Sequence, residues 1–288
     1  MSYYDSLIIV CIIIIIIAVS VQGYRNKNKF RPPPGSDGKP QRRIFNCVNE
    51  MNALRENVFS NKADIVISEL SEYMQVISYE KEKHIEKQQI IGTQLIEKWN
   101  KCAGSDLLKV KYKGVNITFS DLALLGSEAD KRGNVYFKQR FKGQWIIIET
   151  SKEIKRQLRL RERIWSTEEE MPSDIETENL EFNKKYQILV SDPHTAFYIL
   201  TPHFMEYLLN MEKEANARTF FCFVNLFDKN QVHVALHNNR DLFESGLGIR
   251  IEPHQLAEFR EKVKKEVGYI KSILDELLLN NYLFKGED

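Results

Sequence analysis

Residues Leu7 to Val21 form an almost unbroken apolar run that includes six consecutive isoleucines, Ile12 to Ile17. In hydrocarbon every backbone N–H and C=O must be satisfied inside the segment, which a helix achieves alone. The strictly apolar part, about 15 residues, is shorter than the roughly 20 that cross a bilayer. Tyr3, Tyr4 and Tyr24 extend it to interfacial length as an aromatic belt. A cleavable signal peptide is the competing reading, with small residues at Ala18-Val19-Ser20, but the segment before Leu7 carries Asp5 and no Lys or Arg. A buried core helix fits less well, because no polar face marks a solvent side. The pattern therefore predicts a single retained span over residues 1–24.

The flank that follows sets the orientation. Arg25, Lys27, Lys29, Arg31, Lys39, Arg42 and Arg43 are interrupted by one acid, Asp37, so the positive-inside tendency puts the body in the cytoplasm. The same cations suit anionic headgroups, although stopping translocation already accounts for them. Within residues 25–43, Arg31-Pro32-Pro33-Pro34-Gly35-Ser36 favours an extended polyproline spacer. Cys11 lies in the apolar run, and Cys47, Cys102 and Cys222 have no paired spacing, so neither a disulfide framework nor a zinc knuckle is expected. The glycosylation tripeptide Asn116-Ile117-Thr118 has no role in a cytoplasmic domain.

The chain as a whole is 43% hydrophobic and 28% charged with a net charge of +1, so the part beyond the linker has room for one sizeable core and the chain has none of the basic excess of a broad nucleic-acid binder. From Asn57 to about Lys101 the spacing is helical: Val66, Leu70, Tyr73 and Ile77 share a stripe that Ile91, Leu95 and Trp99 continue, with a break near Tyr79 to Gln89. The run Glu80-Lys81-Glu82-Lys83-His84 reads as a solvated face. Strands are expected at Lys109–Tyr112, Val115–Phe119, Val135–Arg140 and Trp145–Thr150, with turns at Lys113-Gly114 and Lys142-Gly143. Neither glycine opens a helix or has a partner at a phosphate-loop spacing, so both read as turn residues.

Thr201 and Pro202 mark the cap and first residue of a helix running to about Ala217, followed by a hairpin of Thr219–Phe227 and Gln231–Leu236 turning at Asp228-Lys229-Asn230. From Pro253 onward Leu256, Phe259, Val263, Val267, Ile270, Leu274 and Leu277 recur every three or four residues, the signature of a long amphipathic helix over 253–282. Its stripe can pack within the chain, between copies, or against a recruited partner. The expected architecture is α+β: a transmembrane helix over 1–24, the basic linker over 25–43, a helical segment over 44–101, an antiparallel β-rich domain with an inserted helix over 102–250, and the C-terminal helix over 251–288.

Five stretches, in order, carry a resemblance: Lys111 to Val115, Phe141 to Gly143, Glu181 to Tyr186, Leu200 to Met205, and Asp241 to Glu244. Over roughly Ser78 to Glu244 the sequence resembles the Domain of Unknown Function 3137 family. The resemblance implies a membrane-anchored bacterial protein with a cytoplasmic α+β domain. It brings no activity and no catalytic residues.

Chemistry is therefore sought in the residues themselves. His233 and His237 stand at a spacing that would suit zinc on a helix, but Val232 to Leu236 alternates as a strand, where four residues separate side chains by roughly 13 Å. Arg159, Arg161 and Arg163 share one strand face; a solvated protective edge explains them more simply than a phosphate or acidic-partner site. Asp192, His194 and His203, with Ser191 or Cys222 as nucleophile, are the one conceivable general-base grouping, and no nucleophile elbow or Cys/His signature accompanies it. Phe220, Phe221, Phe223 and Phe227 read as packing residues. No cofactor or metal is expected and no catalytic residue is assigned. The expectation is a single-pass, membrane-anchored, non-enzymatic interaction or scaffolding module. A membrane-anchored hydrolase or other enzyme around Asp192, His194 and His203 is the alternative.

Overall fold

Lys113 and Gly114 both take positive φ, 48° and 85°, and close a two-residue hairpin between β2 (Lys101–Tyr112) and β3 (Val115–Ala129). The turn at this pair is as the sequence leads one to expect. A second hairpin joins β7 (Arg218–Leu226) to β8 (Lys229–His237). Its turn falls on Phe227 and Asp228, at φ 54° and 60°, rather than on Asp228 to Asn230, because Leu226 pairs with Lys229 and leaves two residues outside the ladder.

The computed structural model describes residues 62–163, 173–244 and 253–278. The span over Leu7–Val21 and the linker lie outside them. Among the described residues no helix is long and apolar enough to cross a membrane. The chain divides into two units, one comprising Met1–Phe59 with Ala129–Val135, the other Ser60–Glu128 with Tyr136–Asp288. In the first, the turn at 130–134 is held by the Asp130 carboxylate, which accepts from the Arg132 and Asn134 amides at 2.8 and 2.9 Å. The second unit carries the core.

In that unit, a helix over 62–71 (α1) leads into β1 (Gln75–Glu80), then α2 (Lys87–Thr93). The expected helical stripe ends after Leu70. Ile77 lies on a strand and is 58% exposed, while Leu95 and Trp99 lie in a loop. The reason is non-local: Gln75 to Glu80 pairs antiparallel with Lys111 to Leu107, and ladder hydrogen bonds override a weak helical period. Further along come β4 (Val135–Glu149), β5 (Leu158–Glu162), α3 (Leu180–Lys185), β6 (Tyr186–Val190), α4 (Pro193–Ile199), α5 (Pro202–Ala215) and, after β8, α6 (Pro253–Leu277). The strands form one sheet in the order β1-β2-β3-β4-β8-β7-β5-β6. The class is α+β, as expected.

Both faces of the sheet are packed, which explains why its central strands are apolar without strict alternation. Ile146, Ile148, Phe221, Phe223, Val232 and Val234 point into a large core shared with α1, α3, α4, α5 and α6. Trp145, Ile147, Phe220, Cys222 and Ala235 point the other way, into a smaller core closed by Ile85, Ile90 and Leu95 around α2. Thr201 caps α5 as predicted, its hydroxyl accepting from the Phe204 amide at 3.3 Å. On α6 the stripe of Phe259, Val263, Val267, Ile270, Leu274 and Leu277 is buried in the large core. Each such side chain contributes about 1.5–3 kcal/mol relative to exposure. Of the ways in which the stripe can be covered, packing within the chain accounts for its burial.

Two readings of the sequence are corrected here. Lys142-Gly143 is not a turn, because Val135 to Glu149 is one strand and Gly143 sits inside it at φ 149°. A Cβ at that position would lie 2.1 Å from the Leu236 carbonyl oxygen, so the close approach of β8 requires glycine. Gly143→Ala is expected to cost about 2–4 kcal/mol by urea unfolding. Gly114→Ala, with nothing within 4 Å of its Cβ, should cost only about 1 kcal/mol. Equal losses would refute the close-approach account.

The second correction concerns the Arg159, Arg161, Arg163 stripe. Its strand, β5, is not an edge: it lies between β7 and β6. The true edge, β6, is covered instead by Ser173 and Asp174. Their side chains accept from the Ile188 and Val190 amides at 3.0 and 2.7 Å, and the Asp174 amide donates to the Ile188 carbonyl at 2.9 Å.

Candidate functional site

Asp192 is the N-cap of α4, its carboxylate accepting from the His194 amide at 3.2 Å and the Thr195 hydroxyl at 3.0 Å. Those bonds, the Thr195 hydroxyl first, hold it below the usual carboxylate range. His194 therefore sits in the first turn of that helix. Asp192 and His194 line an open pocket of about 430 Å³ with Glu153, Lys155 and Tyr198. His203 does not line it; it projects from α5, 86% exposed, with Nδ1 3.9 Å from Glu206. The structure thus joins two of the three candidates and leaves the third apart.

The candidate nucleophile Cys222 faces the smaller core, accepts from Gln157 Nε2 at 3.2 Å, and burial pushes its thiol up to about 12. It stays protonated near neutrality, which removes its nucleophilic form. His233 and His237 lie on β8, a strand as predicted. His233 accepts from Trp145 Nε1 at 3.2 Å and bonds Gln231 Oε1 at 3.1 Å, and burial pulls it down to about 3. It is a neutral packing residue. Among the described residues no group of three His, Cys, Asp or Glu side chains is placed to hold a metal ion. Two arginines of the stripe serve the fold: Arg161 on β5 bonds Glu97 at 2.7 Å and the Gln94 carbonyl at 2.5 Å, and Arg163, just past that strand, bonds the Asn183 carbonyl and Ser173.

The packing on the sheet face that carries the smaller core stops short of the β7–β8 turn. Beyond α2 that face opens into a groove of about 490 Å³ whose lining mixes apolar, cationic and anionic side chains: Ile77, Glu86, Lys109, Thr118, Glu149 and Phe227 among them. Phe227, 66% exposed, and Ile77 stand out into solvent, and Lys229 Nζ pairs with Glu149 at 2.6 Å. The positive-φ turn that holds Phe227 is what exposes it, a consequence of hairpin register not visible in the strand pattern.

A second arrangement escaped sequence reading altogether. Asp121, from β3, is 1% exposed and accepts from Gln144 Nε2 at 2.9 Å and the Leu242 amide at 2.7 Å. The next amide, Phe243, donates to Glu266 of α6 at 2.8 Å. Asp106, fully buried at φ 57°, accepts from the Tyr79 hydroxyl and lies 3.2 Å from Lys62 Nζ. Burial pushes Asp121 up to about 8, against its two donors and with help from Asp106 and Asp241; it pushes Glu266 up as well. The available signal was a carboxylate at a core-facing register of an apolar strand, between Phe119 and Leu122.

With this geometry in view, a family model described as a protein of unknown function (DUF3137) matches residues 134–279. The chain belongs to the DUF3137 family. No curated protein and no solved structure matches it. The DUF3137 match runs from β4 through α6, so the Asp192 pocket and the Asp241–Glu244 loop lie inside it. The Lys111 to Val115 stretch and Asp121 precede it. The buried carboxyl cluster therefore joins the DUF3137 segment, through Gln144, Leu242 and Glu266, to strands that come earlier in the chain.

Proposed function

We propose that the chain is a membrane-tethered, non-enzymatic interaction module whose body, on the cytoplasmic side, presents the open groove beside α2 to a protein partner. The observation that carries this is the groove's composition. Ile77 and Phe227 are large apolar side chains left in water at its rim, and Lys109 and Glu86 supply both signs of charge within it. A polypeptide satisfies such mixed chemistry, and covering an exposed aromatic is the usual anchor of an interface. Helix α6 is left out of this surface, since its apolar stripe is already buried. The tether is the Leu7–Val21 run.

An enzymatic reading is favoured by one observation, the shared pocket of Asp192 and His194. It would make His194 a base in a hydrolytic reaction. The Asp192 carboxylate is committed to capping α4, and His203 stands elsewhere, so the reading has less to draw on.

Photo-crosslinking in intact cells tests the module. With p-benzoylphenylalanine at Phe227 or Ile77, a discrete higher-mass adduct is expected in the membrane fraction, and none from the same probe at His203. Recovery of the chain in the soluble fraction would overturn the tether. Equal adducts from groove and control positions would overturn the groove.

A further inference from the structure

We propose that the end of the sheet built around Phe137, Lys138, Lys98 and Lys101 docks on an anionic lipid surface; this rests on the membrane-tethered reading above. Tyr136 and Phe137, the second and third residues of β4, are 47% and 49% exposed. Around them lies a connected set of cations. Lys101 Nζ sits 3.8 Å from the centre of the Phe137 ring, and Lys87 Nζ bonds the Asn100 carbonyl at 3.0 Å, 5.5 Å from the Trp99 ring. Arg140 Nε donates to the Lys98 carbonyl at 3.2 Å. Glu128 is the carboxylate bound into this network. It takes the Tyr136 hydroxyl at 2.7 Å and the Arg140 guanidinium, with Lys138 Nζ at 3.8 Å; the Tyr136 bond and then Arg140 hold it ionised below the usual range.

With Arg140 balancing Glu128, the exposed lysines Lys87, Lys98, Lys101 and Lys138 leave the surface cationic, next to two aromatic rings in water. Amphipathic rings beside lysines are the side chains that settle at a headgroup boundary, where the ring leaves water and the ammonium meets phosphate. The same chemistry can stack bases. A bilayer is the better fit because the chain's own apolar run, with its basic flank from Arg25 to Arg43, keeps an anionic membrane within reach.

The test uses the full chain with p-benzoylphenylalanine at Phe137, reconstituted in nanodiscs of phosphatidylcholine alone or mixed with phosphatidylglycerol. Mass spectrometry reads the fraction of chain carrying a lipid adduct. Several-fold more adduct is expected with phosphatidylglycerol, falling to the phosphatidylcholine level at high salt or in the Lys98→Glu, Lys101→Glu, Lys138→Glu variant. The salt arm carries the test if that variant melts early. Equal adduct in both lipids, or none in either, overturns the proposal. Binding of a labelled single-stranded RNA that high salt releases, without lipid adduct, reassigns the surface to nucleic acid. If the chain washes off the discs at alkaline pH, the tether fails separately. The same adduct yield is then read on vesicles of the two compositions.

Discussion

Val267→Asp should unfold the body of the protein, lowering stability by roughly 4 kcal/mol or more, because the new carboxylate enters a core of apolar side chains. Val267 is fully buried on the stripe that also buries Val263, Ile270 and Leu274. This stripe is what holds α6 to the sheet's larger core. Polar links along the helix cannot replace it. Tyr112 donates to Asp275 at 2.7 Å, and Arg260 pairs with the buried Glu69 at 2.7 Å, but these are two contacts beside a stripe of six buried apolar side chains. Lys265→Asp, two residues away on the exposed side, should change stability by less than about 1 kcal/mol. Thermal melts of the purified chain followed by circular dichroism separate the two. Similar melting of both variants would mean that the stripe is not the contact that matters.

The second large effect is on pH. In the folded chain the Asp121 carboxyl titrates near 8 against 3.8 for the unperturbed group. Between about pH 4 and 8 the folded state therefore holds a proton that the unfolded state has lost, and stability falls as pH rises through that window, flattening above it. The steepest loss from one such group is roughly 1.4 kcal/mol per pH unit. Asp121→Asn removes the ionisation. Its amide also turns an N–H toward a donor, Gln144 Nε2 or the Leu242 amide, at a cost of about 1 kcal/mol that is the same at every pH. Urea unfolding at pH 5 and pH 8 should show the parent losing roughly 2–4 kcal/mol more than the variant over that interval. Glu266, pushed up by burial in the same direction, leaves a residual slope in both. Parallel pH profiles would show that the two donated hydrogen bonds outweigh burial and keep Asp121 ionised.

The larger consequence of this cluster is positional. Asp121 and Glu266 take consecutive amides of the Leu242-Phe243 loop, so β3, β4, that loop and α6 are tied at one point. The loop is held besides by the Lys142–Asp241 pair at 2.7 Å, by Gln144 Nε2 on the Arg240 carbonyl at 2.9 Å and by the buried Leu242 and Phe243, while Asn239 and Phe243 hold positive φ, 59° and 58°. In the sequence, Asp241 to Glu244 stands out only as one of the stretches that carry the family resemblance. Its neighbours across the sheet give the segment its role.

What could be read from residues alone were features whose cause lies within a few positions. The Lys113-Gly114 turn follows from glycine's tolerance of positive φ, the start of α5 from Thr201 and Pro202, the α6 stripe from its 3.6-residue period, and the strand character of His233 from the alternation around it. The α+β class and the family resemblance rest on the same kind of local pattern. What required the folded chain was settled by partners far away in sequence. Ile77 became a strand residue because Lys109 and its neighbours pair with that segment. Gly143 became indispensable because the Leu236 carbonyl passes within reach of a Cβ. Arg159 and Arg161 became internal because β6 and β7 flank their strand, and the Asp121 carboxyl is raised by burial under a loop more than a hundred residues on. Side-chain period and turn chemistry are short-range properties of a chain, whereas strand order, close approach and desolvation exist only once distant segments meet.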